Sequence, residues 1–195
     1  MPGLEHILRT GKSVGEICEA AGLEAEVVAL VTPERAPPAF VGALREGEKV
    51  IEAVGFLAHA LPVREAIWWA WTCARDSAGD EPAAKIQTAL DATGRWIHEP
   101  SDENRRAAYE AAQAADIMTP AGSAGAAAFF SGGSMGPPDQ PPMPPGEHMA
   151  AKAIFGCVVL AAGSEPEQME PRLHGFLDRG LEVAERVGLW HLQEG

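Results

Sequence analysis

A chain of 195 residues, 46% of them hydrophobic and 22% charged, is long enough to build a core and is composed like neither a disordered nor a fibrous protein. Fifteen Lys and Arg against 28 Asp and Glu leave a net charge of -13, spread along the sequence, which argues against binding to a nucleic-acid phosphate backbone. Cys18, Cys73 and Cys157 are too few and too scattered for a disulfide scaffold or a cysteine-based zinc module, so a soluble, acidic, globular domain is expected.

Met1-Pro2-Gly3-Leu4-Glu5 carries no basic start and no sustained apolar run follows it, so no cleavable signal is expected. With unpaired thiols, this reading places the chain in the cytoplasm. Residues 1–36 read as an N-terminal helical segment of a single domain. Ser13-Val14-Gly15-Glu16 has the form of a capping box, which opens a short helix that stops at Gly22. A second short helix is predicted over 24–31. Pro33, Pro37 and Pro38 then break the chain, and Pro38 suits the first turn of a helix running to Glu46 and ended by Gly47. Beyond it Val50, Val54, Leu57, Ala58 and Leu61 form one apolar stripe, with Glu52 and His59 off it. Pro62 marks the next start. Over 62–75, Val63, Ala66, Ile67, Ala70, Trp71 and Ala74 line one side, while Trp68, Trp69 and Cys73 make the other apolar too. Such a helix belongs in the middle of a domain.

Asp80-Glu81-Pro82 opens a helix with a buried stripe of Ile86, Leu90, Thr93 and Ile97, which ends before Pro100. Ser101 caps an alanine-rich helix over 102–115, and Thr119-Pro120 opens another that runs through Phe129-Phe130 to the stop at Gly132-Gly133. Ten of the sixteen residues over 131–146 are Gly or Pro, so this segment cannot be regular structure and reads as a covering strap or a functional loop. Pro145 is expected to begin a second all-apolar helix ending near Gly163. Its uncharged stretch, 153–163, is shorter than the about 20 residues a membrane span requires, so no membrane insertion is expected. Ser164 caps the last helix, where Met169, Leu173, Phe176, Leu177, Leu181, Ala184 and Val187 recur at helical spacing, before a tail of Trp190-His191-Leu192. Strand signals are almost absent. The fold class is therefore all-α: seven to nine helices packed as antiparallel hairpins around two central apolar helices, with one Pro/Gly-rich strap.

Candidate chemistry is sparse. Gly132-Gly133-Ser134-Met135-Gly136 matches the G-x-S-x-G nucleophile elbow, for which Asp139, Asp178, His174 and His191 would have to supply partners. A helix precedes the motif and Pro137-Pro138 follows it, so the strand and helix that strain such a serine are missing, and the glycines read better as a helix stop. No P-loop ending and no dinucleotide fingerprint occurs. Glu170, His174, Asp178 and Glu182 recur every four residues and could hold a divalent cation, but beside an apolar stripe they read as the solvated edge of a helix. His6, His59, His98 and His148 show no partner at ligand spacing. Arg64 and Trp68 are spaced for a cation–π contact. Trp68, Trp69 and Trp71 are spaced for core filling or for an aromatic pocket, with core filling the commoner use. Phe129-Phe130 is placed to anchor the strap. No catalytic, metal or cofactor residue is assigned, and no cofactor is expected.

Two segments carry a family likeness: 56–75, with Leu61-Pro62-Val63-Arg64-Glu65-Ala66-Ile67-Trp68-Trp69 inside it, and 126–139, with Ser131-Gly132-Gly133-Ser134 inside it. Together they resemble an uncharacterised bacterial domain-of-unknown-function family of small helical proteins, over about 35–187. The resemblance implies an accessory or adaptor role at type VI secretion loci. A weaker likeness joins 62–115 to proposed bacterial immunity proteins through Trp69, Cys73-Ala74-Arg75, the start at Asp80 to Pro82, and Trp96; it ends at Ala115. The expectation is a non-enzymatic interaction protein whose partner is a protein, a secretion-system component or a toxin, with an immunity role as the alternative and, third, a hydrolase or metal-dependent enzyme using Ser134 or the His174 face. The strap would present the partner-binding residues Phe130, Ser131, Gly132, Gly133, Ser134, Met135, Pro137, Pro138 and Asp139, since loops on rigid helices commonly carry recognition.

Overall fold

Ser13 accepts the backbone N–H of Glu16 on its hydroxyl while Glu16 accepts the N–H of Ser13, so the predicted capping box opens α1, Val14–Ala20. The computed structural model describes residues 6–32, 36–137 and 139–190. Met1 to Glu5, Pro33, Pro138, His191 and Leu192, singled out in the sequence, lie outside the described residues. Ten α-helices follow one another in these residues, and a single Ile7–Ser13 bridge is their only strand-type pairing, so the fold is all-α. No single helix among them is long and apolar enough to cross a membrane by itself.

The described residues fall into two compact units. The first takes those up to Pro62 and those from Leu173 onward. In it α1 is followed by the short α2, Ala25–Val28, then α3, Pro37–Glu46, with prolines in its first turn, and α4, Val50–Ala60. The second helix is shorter than the predicted 24–31. Phe40 of α3 meets Phe56 of α4 edge-on at 5.3 Å, both fully buried, and Leu8, Ile17, Leu44 and Leu57 complete the core around them. From Leu173 on, α10, Met169–Arg186, adds Leu177, and past its end Leu189 is also fully buried. His59, expected off the apolar stripe, is buried: α4 is covered on nearly all sides, and the Nδ1 of His59 hydrogen-bonds the Gly55 carbonyl at 2.8 Å.

The second unit, Val63–Arg172, holds α5, Val63–Ala78; α6, Ala84–His98; α7, Asp102–Ala115; α8, Pro120–Phe129; α9, Met149–Gly163; and a 3-10 turn, Pro166–Gln168. Ser101 and Thr119 cap α7 and α8 as predicted. Each of the helices α5 to α9 packs on the next, and α8 touches all four of the others. Every residue of α8 from Ala121 to Phe129 is buried. By contrast α5 keeps Val63 and Arg64 exposed and Trp68 and Trp71 half-buried, so it is less enclosed than its composition implies. The middle of this unit goes to the helix with the smallest side chains because small residues let backbones approach closely. A Cβ on Gly125 would lie 2.7 Å from the Ala108 carbonyl oxygen and 2.9 Å from the Ala112 Cβ. The helix expected from Pro145 begins four residues later, at Met149. A turn closed by the Met149 N–H on the Gly146 carbonyl precedes it, leaving Pro144 and Pro145 to the strap.

Candidate functional site

The strap leaves the C-terminal end of α8, and α7 supplies what holds it. Asp102, in the first turn of α7, accepts Arg105 Nε and Nη2 on one oxygen at 3.0 and 2.6 Å, and Arg106 Nε on the other at 2.8 Å. The carboxylate therefore aims both guanidinium groups. Arg105, only 4% exposed, donates Nη1 to the Phe129 carbonyl at 2.7 Å and Nη2 to the Ser134 carbonyl at 2.8 Å. The first of these satisfies a carbonyl that the end of α8 leaves without a helical partner. Arg106 Nη2 reaches the Ser134 and Gly136 carbonyls at 3.1 and 2.9 Å. Two arginines thus grip three strap and helix-end carbonyls, with charge-assisted bonds that are stronger than neutral ones. The same arginines hold the Asp102 carboxyl below its ordinary value, Arg106 contributing most.

Aromatic packing supports the grip. The Arg105 guanidinium lies 4.6 Å over the Phe129 ring, and Tyr109 stacks on the same ring, 4.1 Å away and nearly parallel. Phe130 completes the group, 5.6 Å from Phe129. Phe129 is buried and anchors the root of the strap, as its position implied. Gly133 has φ 68, and a Cβ there would sit 3.0 Å from the Arg105 guanidinium, so a side chain would strain the backbone and crowd the arginine where the two cross.

Inside the strap, Ser134 Oγ accepts the N–H of Gly136 at 3.1 Å and of Met143 at 3.0 Å, while Met135 N–H donates to the Met143 carbonyl at 2.8 Å. The hydroxyl that the nucleophile-elbow pattern singled out is a staple between two stretches of loop. Of the predicted partner-binding residues, Phe130, Ser131, Gly132, Ser134 and Met135 are half-buried in this pinned part and Gly133 is exposed. Pro137 and Asp139 project into solvent, and Pro138 lies outside the described residues. Exposure continues through Gln140, Pro141, Pro142, Met143 and Pro144.

The other candidates disperse. Asp178 of the acid–histidine ladder forms a two-pronged pair with Arg45, at 2.5 and 3.1 Å, and among the described residues no three His, Cys, Asp or Glu side chains are grouped to hold a metal. Arg64 donates to the Ile97 carbonyl at 2.7 Å and more weakly to that of His98, closing the C-terminal end of α6, and a cation–π contact on α5 places Arg75 over Trp71. Trp69 fills the core. Trp71, bonded through Nε1 to the Leu90 carbonyl, forms one wall of an open groove of about 470 Å³ with Asp91, Arg95 and His98. The three cysteines are buried and form no disulfide; burial pushes Cys18 up to about 11 and Cys157 well above the ordinary range.

Sequence reasoning located the strap but missed its clamp. The available signal was Arg105-Arg106 close to the start of α7, where the helix dipole disfavours positive charge, so a pair of arginines needs another reason to be there. Residues 40–184, which contain both the clamp and the strap, match the model of a family described as a family of unknown function (DUF6931). No curated protein and no solved structure matches the chain.

Proposed function

The chain belongs to the DUF6931 family of unknown function, and we propose that it is a non-enzymatic interaction protein that meets a protein partner through the strap. In this reading it is a cytoplasmic accessory or adaptor of a bacterial secretion or toxin-delivery system of the type VI kind. The observation that carries the reading is the clamp. Burying an arginine is costly unless it is fully hydrogen-bonded, and here Arg105 is buried to fix the course of a loop. A loop held this firmly at its root, and exposed beyond it, presents one shape at little cost in entropy on binding.

The test is affinity capture from the native host with the whole chain and with a variant whose residues 131–146 are a Gly/Ser linker. Loss of a specific partner from the folded variant is the expected result. Unchanged recovery, with helical content intact by circular dichroism, would count against the reading. Labelling by a serine-directed fluorophosphonate, or stoichiometric metal in the purified protein, would instead revive catalysis at Ser134 or at the His174 face.

The net charge of -13 favours a second reading, an immunity protein that neutralises a basic toxin, because complementary charge speeds association. Co-expression with the toxin of the same locus separates the two: rescue of growth supports neutralisation, and continued killing removes it.

A further inference from the structure

Beyond its pinned root the strap runs Gln140-Pro141-Pro142-Met143-Pro144-Pro145, and every one of these residues either is a proline or precedes one. Proline fixes its own φ, and a residue before a proline is biased away from the α region, so Gln140, Pro141, Met143 and Pro144 are held extended by their covalent structure and only Pro142 and Pro145 keep a free ψ. In agreement, residues 141–146 belong to no helix, strand or turn, and the described chain contains no cis peptide bond. Pro141 and Pro144 are three apart, as are Pro142 and Pro145. At three residues per turn, each pair shares one edge of a left-handed polyproline II helix.

Hydrogen bonding leaves a particular kind of surface. Prolines have no N–H, so Met143 carries the only backbone donor over 141–145, and that donor is given to Ser134 Oγ. The Met143 carbonyl is engaged by Met135 N–H. One edge of the extended stretch is thereby tied to the pinned root. The other edges offer pyrrolidine rings and carbonyl acceptors, with Pro141, Pro142 and Pro144 exposed and Met143 52% exposed. Rings and acceptors without donors are what an aromatic groove lined with Trp N–H and Tyr O–H groups takes up. Asp139 and Glu147, both exposed, bracket the stretch with negative charge and call for basic residues on the rim of that groove; they also disfavour an anionic membrane or a nucleic acid as the occupant.

We propose that residues 139–147 are a preformed polyproline II ligand for a partner protein that has an aromatic-lined, basic-rimmed groove. This rests on the strap being the partner-binding element and adds the chemistry of what it meets. The preformed conformation and the anchored root spare the ordering entropy that a free proline-rich peptide loses on binding.

The experiment titrates the whole chain against a panel of purified SH3, WW and EVH1-type domains, followed by the tryptophan fluorescence of each domain. Saturable binding to at least one is expected. Pro141→Ala/Pro144→Ala should weaken it roughly tenfold or more, and a synthetic peptide of residues 139–147 should compete with the unaltered chain. No binding across the panel, or binding indifferent to both the substitutions and the peptide, overturns the proposal. Binding to phosphatidylglycerol vesicles in place of the domains overturns it too. The affinity capture described above separates this from its premise. A partner lost with the Gly/Ser linker but kept by the proline variant leaves the strap reading standing and removes the polyproline one. A partner kept by both variants removes both.

Discussion

Glu48 adopts φ 59 where α3 hands the chain to α4, although the glycine predicted to end α3 is its neighbour, Gly47, at φ -87. Lys49 N–H bonds the Leu44 carbonyl and Glu48 N–H that of Arg45, the paired bonds of a Schellman ending. The same pairing at the ends of α1 and α10 puts Gly22 and Gly188 at the left-handed position. Replacing the crowded side chain by glycine, Glu48→Gly, should therefore stabilise the chain by about 1 kcal/mol, measurable as a raised urea midpoint. The thiols give a second check at this scale. Loss of solvation pushes Cys18 up to about 11 and Cys157 well above the ordinary range, so their thiolates are scarce near neutral pH, and all three cysteines are buried. A disulfide reagent at pH 8 should react with less than one thiol per native chain over an hour and with all three in denaturant. Rapid native labelling would refute the buried placement.

At the scale of elements, the clamp and α8 each make a definite claim. Arg105→Ala leaves the Phe129 carbonyl without its donor and the Ser134 carbonyl and Asp102 with Arg106 alone, and should cost about 1–3 kcal/mol. Loss of amide-exchange protection at Gly136 and Met143 would show that the strap has loosened. Asp102 has a folded-state pKa lowered from 3.8, so its contribution is complete above the ordinary value and is lost as pH falls through the depressed one. The stability gap between the wild-type chain and Asp102→Asn should thus be flat around neutrality and close in acid. In α8 the usual rule is inverted. Gly→Ala inside a helix normally gains about 0.5–1 kcal/mol. A Cβ on Gly122 would sit 2.0 Å from the Asp116 carbonyl oxygen, which belongs to a turn where Asp116 itself has φ 72. Gly122→Ala should cost about 3 kcal/mol and Gly125→Ala about 1–3 kcal/mol, read as falls in melting temperature. Either variant melting above the parent would sink the close-packed account of this helix.

For the molecule as a whole, residues 63–172 form one compact unit from a continuous stretch, whereas the other unit needs both ends of the described chain. Expressed alone, residues 63–172 should give a helical circular dichroism spectrum and a cooperative melt, while residues 1–62 alone should not, because Leu177 and Leu189 of their core lie beyond Leu173.

Several features settled between adjacent residues could be read from the sequence alone. The capping box at Ser13, the caps at Ser101 and Thr119, the stop at Gly22 and the irregular strap follow from hydroxyls, carboxylates, glycines and prolines acting over three or four positions, and they made the all-α class legible. Tertiary structure decided what depends on residues brought together from afar. Only packing could give the centre of the second unit to α8, because closeness of approach, which Gly122 and Gly125 permit, is invisible to a measure of hydrophobicity. Only packing could bury His59, draw Asp178 onto Arg45, turn the Ser134 hydroxyl into a loop staple, and set Arg105 under Gly133. A buried guanidinium is stable only where several carbonyls converge on it, and such convergence is a property of the folded chain rather than of any local stretch.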